Sequence, residues 1–438
     1  MLTLCGLIVI CSIFVIGSTA FQDDFPIIAY FQPEQVHLSL GPVDNSMTVT
    51  WSTFNETGES IVEYGIDKMD LAQKSPNATT EFIDGGLNKR KQYIHRVTLT
   101  GLKPKTKYVY HCGSDLGWSD EFWFYTVDPS PSYVAKLAVY GDMGNVNAQS
   151  LPRLQKETQD HEYDAILHVG DFAYDMHWDD GRVGDQFMNQ IQPIAAYLPY
   201  MVCVGNHEGA YNFSHYRSRF SMPNSNDNLY YSFTIGPVRF IAISTEVYYF
   251  LNYGMKQVVT QYEWFDKELA KAASPENRKT HPWIVVFGHR PMYCSNNDDD
   301  DCTQSWALTR TGFFGAFAIE PLLYKYGVDV AIWAHEHSYE RLWPVYNFTV
   351  HNGSTEHPYV NPKAPVHIVT GSAGCRERVD NFIDNNAWSA FRNSDYGYTV
   401  MHLLNETHLR FQQKSDDKNG VFVDDFYVVK DKHESFLK

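Results

Sequence analysis

Basic side chains are scarce in this chain: 35 Lys and Arg stand against 52 Asp and Glu, a net charge of −17. Such a surface repels phosphate backbones and anionic headgroups, which excludes nucleic acid and acidic membrane as partners. An anionic substrate then needs positive charge supplied locally, and a metal ion is the most compact source. Long apolar runs are lacking after the first twenty residues, so no later segment reads as a membrane span. Cysteine is also sparse, seven in 438 residues, which excludes a disulfide-held scaffold. What remains, 44% hydrophobic, 20% charged and 15% aromatic, describes a globular chain and excludes disorder, collagen and coiled coil. At ~150 residues per domain the length implies two or three domains.

Leu2 to Ile16 is apolar and uncharged, and Gly17-Ser18-Thr19-Ala20 follows. Small residues at Ser18 and Ala20 make residues 1–20 a signal peptide, with Phe21 the new N-terminus. A retained anchor helix is the alternative, because no Lys or Arg precedes the run. Six sequons, at Asn55, Asn77, Asn212, Asn347, Asn352 and Asn405, agree with secretion and predict glycosylation there. The expected destination is extracellular or lysosomal. Cys5 and Cys11 leave with the leader, and the five that remain leave at least one thiol without an intrachain partner.

Residues 30–128 read as short strands between turns. Val36–Leu40, Met47–Trp51, Tyr93–Leu99, Tyr108–Tyr110 and Glu121–Val127 alternate with period two, and no amphipathic helix intervenes. That pattern predicts an all-β sandwich. Asp128-Pro129-Ser130-Pro131-Ser132 reads as a linker. Over 133–430 the style changes to apolar runs alternating with helical patterns, an α/β layer fold. Val258, Tyr262, Phe265 and Leu269 mark one helical face. Strands return over 364–430 and are expected to close the same sheet system.

Five apolar runs are each followed at once by residues of metal-ligating type. They lead into Gly141-Asp142-Met143-Gly144, Gly170-Asp171-Phe172-Ala173-Tyr174-Asp175, Gly205-Asn206-His207-Glu208, Gly288-His289-Arg290 and Ala334-His335-Glu336-His337. Ligands in α/β sheets gather at the carboxyl ends of strands, and glycine permits a tight turn with close backbone approach. Singly each motif has a plainer reading. A lone Asp after a strand caps the next helix, Asn206-His207 forms a turn, and His335 and His337 divide between surface and core. His168 reads as a core histidine, and Asp175, Asp179 and Asp180 as a solvated loop. Together the five supply carboxylate, amide, imidazole and phenol donors, which suit a pair of ions.

In these blocks the chain resembles the purple acid phosphatases, a family within the metallophosphoesterases, and within that family its animal branch. Asp142-x-Gly144, Gly170-Asp171-x-x-Tyr174, Gly205-Asn206-His207-Glu208, Val286-x-Gly288-His289 and His335-x-His337 match in order and spacing. The resemblance implies a four-layer αββα metallophosphoesterase domain behind a fibronectin-type-III-like sandwich. It assigns Asp142, Tyr174 and His337 to a first ion, Asn206, His289 and His335 to a second, and Asp171 as the bridge. Broader metallophosphoesterases carry histidine where Gly144 stands here. Tyr174 as phenolate favours Fe(III), and the second site fits a divalent Zn, Fe or Mn ion.

The implied activity is hydrolysis of small phosphate monoesters, with in-line attack by a metal-bound hydroxide. His207 is the candidate for contacting the phosphoryl group, and Arg290 a weaker one for steering phosphate. A dinuclear phosphodiesterase or nucleotidase is the alternative enzyme, and a catalytically silent secreted glycoprotein the alternative class. Plant-type relatives carry a histidine pair after the residue matching His289; here Asn296-Asn297-Asp298-Asp299-Asp300-Asp301 stands between Cys294 and Cys302. Adjacent carboxylates raise one another's pKa, and Asp298 is the expected leaving-group acid. The cysteine spacing permits a Cys294–Cys302 disulfide.

Overall fold

Short alternating strands and four-residue apolar runs fold differently, and the computed structural model separates them clearly. It describes residues 30–75, 78–225, 227–296, 301–382 and 386–437. The alternating strands form two antiparallel sheets packed as a sandwich. One orders Glu34–Leu40, Met47–Thr53, Lys91–Leu99 and Thr79–Ile83. The other orders Leu71–Lys74, Ile61–Gly65, Lys107–Ser114 and Gly117–Trp118, with Phe122–Tyr125 paired to Lys107–Ser114.

The apolar runs build two larger sheets. The first places Tyr200–Cys203, Ala165–Val169 and Ala135–Tyr140 in parallel, then Gly397–Leu403, His408–Ser415 and Val421–Val429 antiparallel. The second runs Tyr231–Ile235, Val238–Ala242, Trp283–Phe287, Val330–Trp333, Val366–Thr370, Tyr339–Leu342 and Ser389–Asn393. Ala165–Val169, Tyr200–Cys203, Trp283–Phe287 and Val330–Trp333 are buried at every position. Coverage of both faces by apolar layers suits these continuous apolar runs. The sheets face each other, with helices outside them, in a four-layer αββα arrangement. The strands after residue 364 divide between both sheets and close them.

The helix Lys256–Ala272 buries Val258, Phe265 and Leu269 of the face marked by periodicity and leaves its fourth member, Tyr262, half-buried. It also buries Gln261, whose amide pairs with both N–H and C=O of Ser244 at 2.8 Å. That pair pins the carboxyl end of Val238–Ala242, a strand without a ligand motif. The helix Arg182–Ala195 packs on the sandwich strand Glu34–Leu40, and Gln192 Oε1 accepts the Val36 amide at 2.8 Å. Beside it the Asp185 carboxylate receives Arg219 at 2.8 Å, Gln92 at 2.6 Å and Arg90 at 2.5 Å. Arg90 and Gln92 come from the sandwich, so this buried charge group joins the two units.

Candidate metal centre

Three of the five ligand-bearing strands belong to the first large sheet and two to the second, so the site straddles both carboxyl edges. The chain turns sharply there. Asp142, Asp171, Tyr174 and His335 have φ of 59°, 51°, 49° and 72°. Non-glycine residues avoid that region, and such strain, about 1–3 kcal/mol each, persists where surroundings over-determine it. The glycines make room as well as turns. A Cβ on Gly170, at φ 85°, would lie 2.4 Å from His289 Nδ1, and one on Gly205 would lie 2.1 Å from Asp171 Oδ1. Each glycine clears space for a ligand candidate from a different strand.

The predicted donors fall into two groups. In the first, Tyr174 Oη lies 3.1 Å from Asp142 Oδ1 and 2.9 Å from His337 Nε2, and His337 Nε2 lies 3.6 Å from Asp142 Oδ1. In the second, His289 Nε2 lies 3.0 Å from Asn206 Oδ1, 3.1 Å from Asp171 Oδ2 and 3.2 Å from His335 Nδ1. With metal–ligand bonds of ~2.1 Å, neighbouring donors of one ion stand about 3 Å apart. The separations here match that edge.

The imidazoles are oriented by their outer nitrogens. His289 Nδ1 is paired with the Val169 carbonyl and His337 Nδ1 with the Arg378 carbonyl, both at 2.8 Å. Arg290 Nη1 donates to His335 Nε2 at 2.9 Å. Each ring thereby turns its other nitrogen inward, the arrangement that metal-binding histidines use. Burial disfavours charge on His289, but the Asp171 carboxylate overrides it and raises the imidazole to about 10. Burial, then the Asp142 and Asp171 carboxylates, push the Tyr174 phenol well above its ordinary value. A phenolate at Tyr174 therefore requires a highly charged cation beside it. The donor set fits a dinuclear metal site.

Several residues that support these donors escaped the sequence reading. Glu208 closes the block Gly205-Asn206-His207-Glu208. Its carboxylate accepts the amides of Gly205, Asp171 and Phe172, each at 3.0 Å, and so ties two ligand loops together. Asp175 is not a solvated loop residue: Oδ1 meets His207 Nδ1 at 2.7 Å and Oδ2 meets Arg376 at 3.3 Å. Asp180 likewise bonds Asn88 of the sandwich, whereas Asp179 is exposed and pairs with Arg182. Arg290 pairs with Glu246 at 3.0 Å, stacks 4.4 Å from Tyr249 and donates to His335 Nε2 at 2.9 Å. Asp380 accepts the His337 amide at 2.6 Å. Spacing along the chain carries no signal for these contacts.

His207 is the candidate that contacts neither donor group through its ring nitrogens. Its amide donates to Asp171 Oδ1 at 2.9 Å, and its ring packs 4.2 Å from that of Tyr174. Burial lowers its pKa, but the Asp171 charge and the Asp175 bond outweigh burial and lift it to about 9. His168 is a core residue, with Nδ1 bonded to Tyr200 Oη at 2.7 Å. Cys294 and Cys302 form a disulfide, while Cys112, Cys203 and Cys375 are free and buried. Asp298, the sequon at Asn77 and residues 1–20 lie outside the described residues. Asn347 and Asn405 are exposed, and Asn55, Asn212 and Asn352 half-buried. Among the described residues no helix is long and apolar enough to cross a membrane.

Residues 33–126 match the model for the purple acid phosphatase N-terminal domain, 135–339 that for calcineurin-like phosphoesterases, and 364–425 that for the iron/zinc purple acid phosphatase-like protein C region. Acid phosphatase type 7 of Danio rerio is 56% identical over 409 residues, covering 92% of each chain. The Homo sapiens protein of that name is 52% identical over 401 residues, 91% of each chain. Among solved structures, a purple acid phosphatase from yellow lupin (Lupinus luteus) seeds aligns with a TM-score of 0.76 at 26% identity, over 93% of this chain and 76% of that one. With all three segments matched in order, the chain belongs to the purple acid phosphatase family of metallophosphoesterases.

Proposed function

We propose that this chain is a secreted acid phosphatase that hydrolyses phosphate monoesters at a dinuclear centre. Asp142, Tyr174 and His337 would hold Fe(III). Asn206, His289 and His335 would hold a divalent Zn, Fe or Mn ion, and Asp171 would be shared. When bound, the ions polarise phosphoryl oxygens and bring water to its nucleophilic form near neutral pH. The observation that carries the reading is the Tyr174 phenol set between Asp142 and His337 at 3.1 and 2.9 Å, with glycine at 144.

The chain's own residues do the rest. His207, protonated at acid pH and held through Nδ1 by Asp175, offers Nε2–H to the phosphoryl oxygens. Glu208 fixes the two loops that carry Asp171 and Asn206, so the donors keep their spacing as charge redistributes. Asp298, in the stretch bracketed by the Cys294–Cys302 disulfide, would protonate the leaving oxygen; in that role its change to Asn slows alkyl esters far more than a nitrophenyl ester. The leader and sequons support export to the extracellular or lysosomal space.

The test is turnover of p-nitrophenyl phosphate against bis(p-nitrophenyl) phosphate by protein with its metal content measured. Preference for the monoester at acid pH supports the proposal. Preference for the diester replaces it with the phosphodiesterase reading, and no turnover of either by metal-loaded protein points to a silent glycoprotein.

A further inference from the structure

Cys294 and Cys302 bracket a segment that contributes no metal donor, yet Asn296 within it reaches the loop that carries two. His335 and His337 sit at the centres of successive three-residue turns. These are closed by the Glu336 amide on the Ala334 carbonyl at 2.8 Å and the Ser338 amide on the Glu336 carbonyl at 2.7 Å. The first, with His335 at φ 72°, is the rarer and more strained kind, which persists only where its surroundings hold it. Glu336, between the two histidines, is buried, and so is Asn296. Asn296 Nδ2 donates to Glu336 Oε2 and, at 3.5 Å, to Asp380 Oδ2. Asp380 in turn accepts the His337 amide at 2.6 Å and donates its own amide to the His337 carbonyl at 3.0 Å. The disulfide completes the group: Cys294 Sγ lies 3.7 Å from Asn296 Oδ1, and Cys302 Sγ lies 2.9 Å from Glu336 Oε1.

We infer that Asn296, set in place by the Cys294–Cys302 bridge, is a positioning residue for both ions. The inference rests on the dinuclear reading and adds to it a residue outside the donor set. Under that reading His335 serves the divalent ion and His337 the Fe(III). One carboxamide tied to Glu336 and Asp380 therefore governs a donor of each. A carboxamide suits the place because its two N–H groups can serve two acceptors, whereas a carboxylate would meet two of its own kind with no proton to give. Groups that orient ligands in this way are typically worth about 10–100-fold in metal affinity.

The test is the affinity for Zn(II), by competition with a chromophoric chelator, in the wild type, Asn296→Ala and the near-isosteric Asn296→Leu, which lacks the N–H groups. Both variants should bind about 10–100-fold more weakly. Cys294→Ala with Cys302→Ala, which opens the bridge and keeps Asn296, should weaken binding by about tenfold. Wild-type affinity in Asn296→Leu means that shape alone matters, and wild-type affinity in every variant means that the group holds nothing; either result overturns the inference. Hydrogen exchange of metal-free protein separates this inference from the reading beneath it. Amides of residues 334–338 that exchange about tenfold faster in Asn296→Leu support the positioning role even if the wild type binds no ion. Exchange there that is indifferent to Asn296 removes the role even in a metal-loaded enzyme.

Discussion

Glu208 and Asp171 are joined side chain to backbone: one Glu208 oxygen accepts the Asp171 amide at 3.0 Å and the Gly205 amide at the same distance. The other accepts Phe172. One carboxylate thus sets the spacing between two strands' ligands. Glu208→Ala leaves three buried amides unpaired and should cost about 2–4 kcal/mol. Thermal melting and metal analysis check this, with a lowered Tm and fewer than two ions per chain expected. Unchanged values for both would deny Glu208 its tying role.

Asp175 should matter to rate without mattering to metal. In Asp175→Asn, His207 loses the partner that orients it and part of the charge that lifts its pKa to about 9. The imidazolium then deprotonates at lower pH, so the alkaline limb of the kcat/KM profile moves toward acid. Misplacement of the ring costs up to about 10²-fold in rate, while two ions per chain remain. A pH profile measured beside metal content separates this from simple unfolding.

The charge group between the units predicts an asymmetry. Arg219→Ala leaves the buried Asp185 with Arg90 and Gln92 alone and should destabilise by about 2–4 kcal/mol. Replacing the group together, Arg219→Met and Arg90→Met with Asp185→Leu, should cost less, because no charge is left without its partner. Urea unfolding of both variants reads the difference. Equal costs would mean that packing at Arg219, not charge pairing, holds the interface.

Acid should weaken the sandwich through His37. Burial lowers its pKa to about 4, well below the ordinary 6.5. Between those values the unfolded chain takes a proton that the native state refuses, so stability is full above pH 6.5 and falls toward pH 4. One such group is worth about 3 kcal/mol across that window. His37→Asn should be less stable at pH 7 and should show a flatter acid-side slope in melts from pH 7 to 4.5. An unchanged slope would assign the loss to other groups.

The α/β architecture was legible because strands covered on both faces must be apolar throughout, as Ala165–Val169 and Val330–Trp333 are. The donors were legible because chemistry collects at strand ends, and each run there leads directly into Asp, Asn or His. Glu208, Asp175 and Arg290 were not. Their roles depend on which loops become neighbours across two sheets, and a carboxylate reads the same along the chain whether it meets water or an amide. Val238–Ala242 and its anchor Gln261 were missed for a related reason: a strand without a ligand and a buried amide within a helix leave no chemical mark.

The proposed Tyr174 phenolate on Fe(III) carries a visible signature. Protein isolated from oxidising medium should show a broad visible absorption band, which Tyr174→Phe abolishes while the fold persists by circular dichroism. A colourless wild type with two divalent ions and full activity would contradict it.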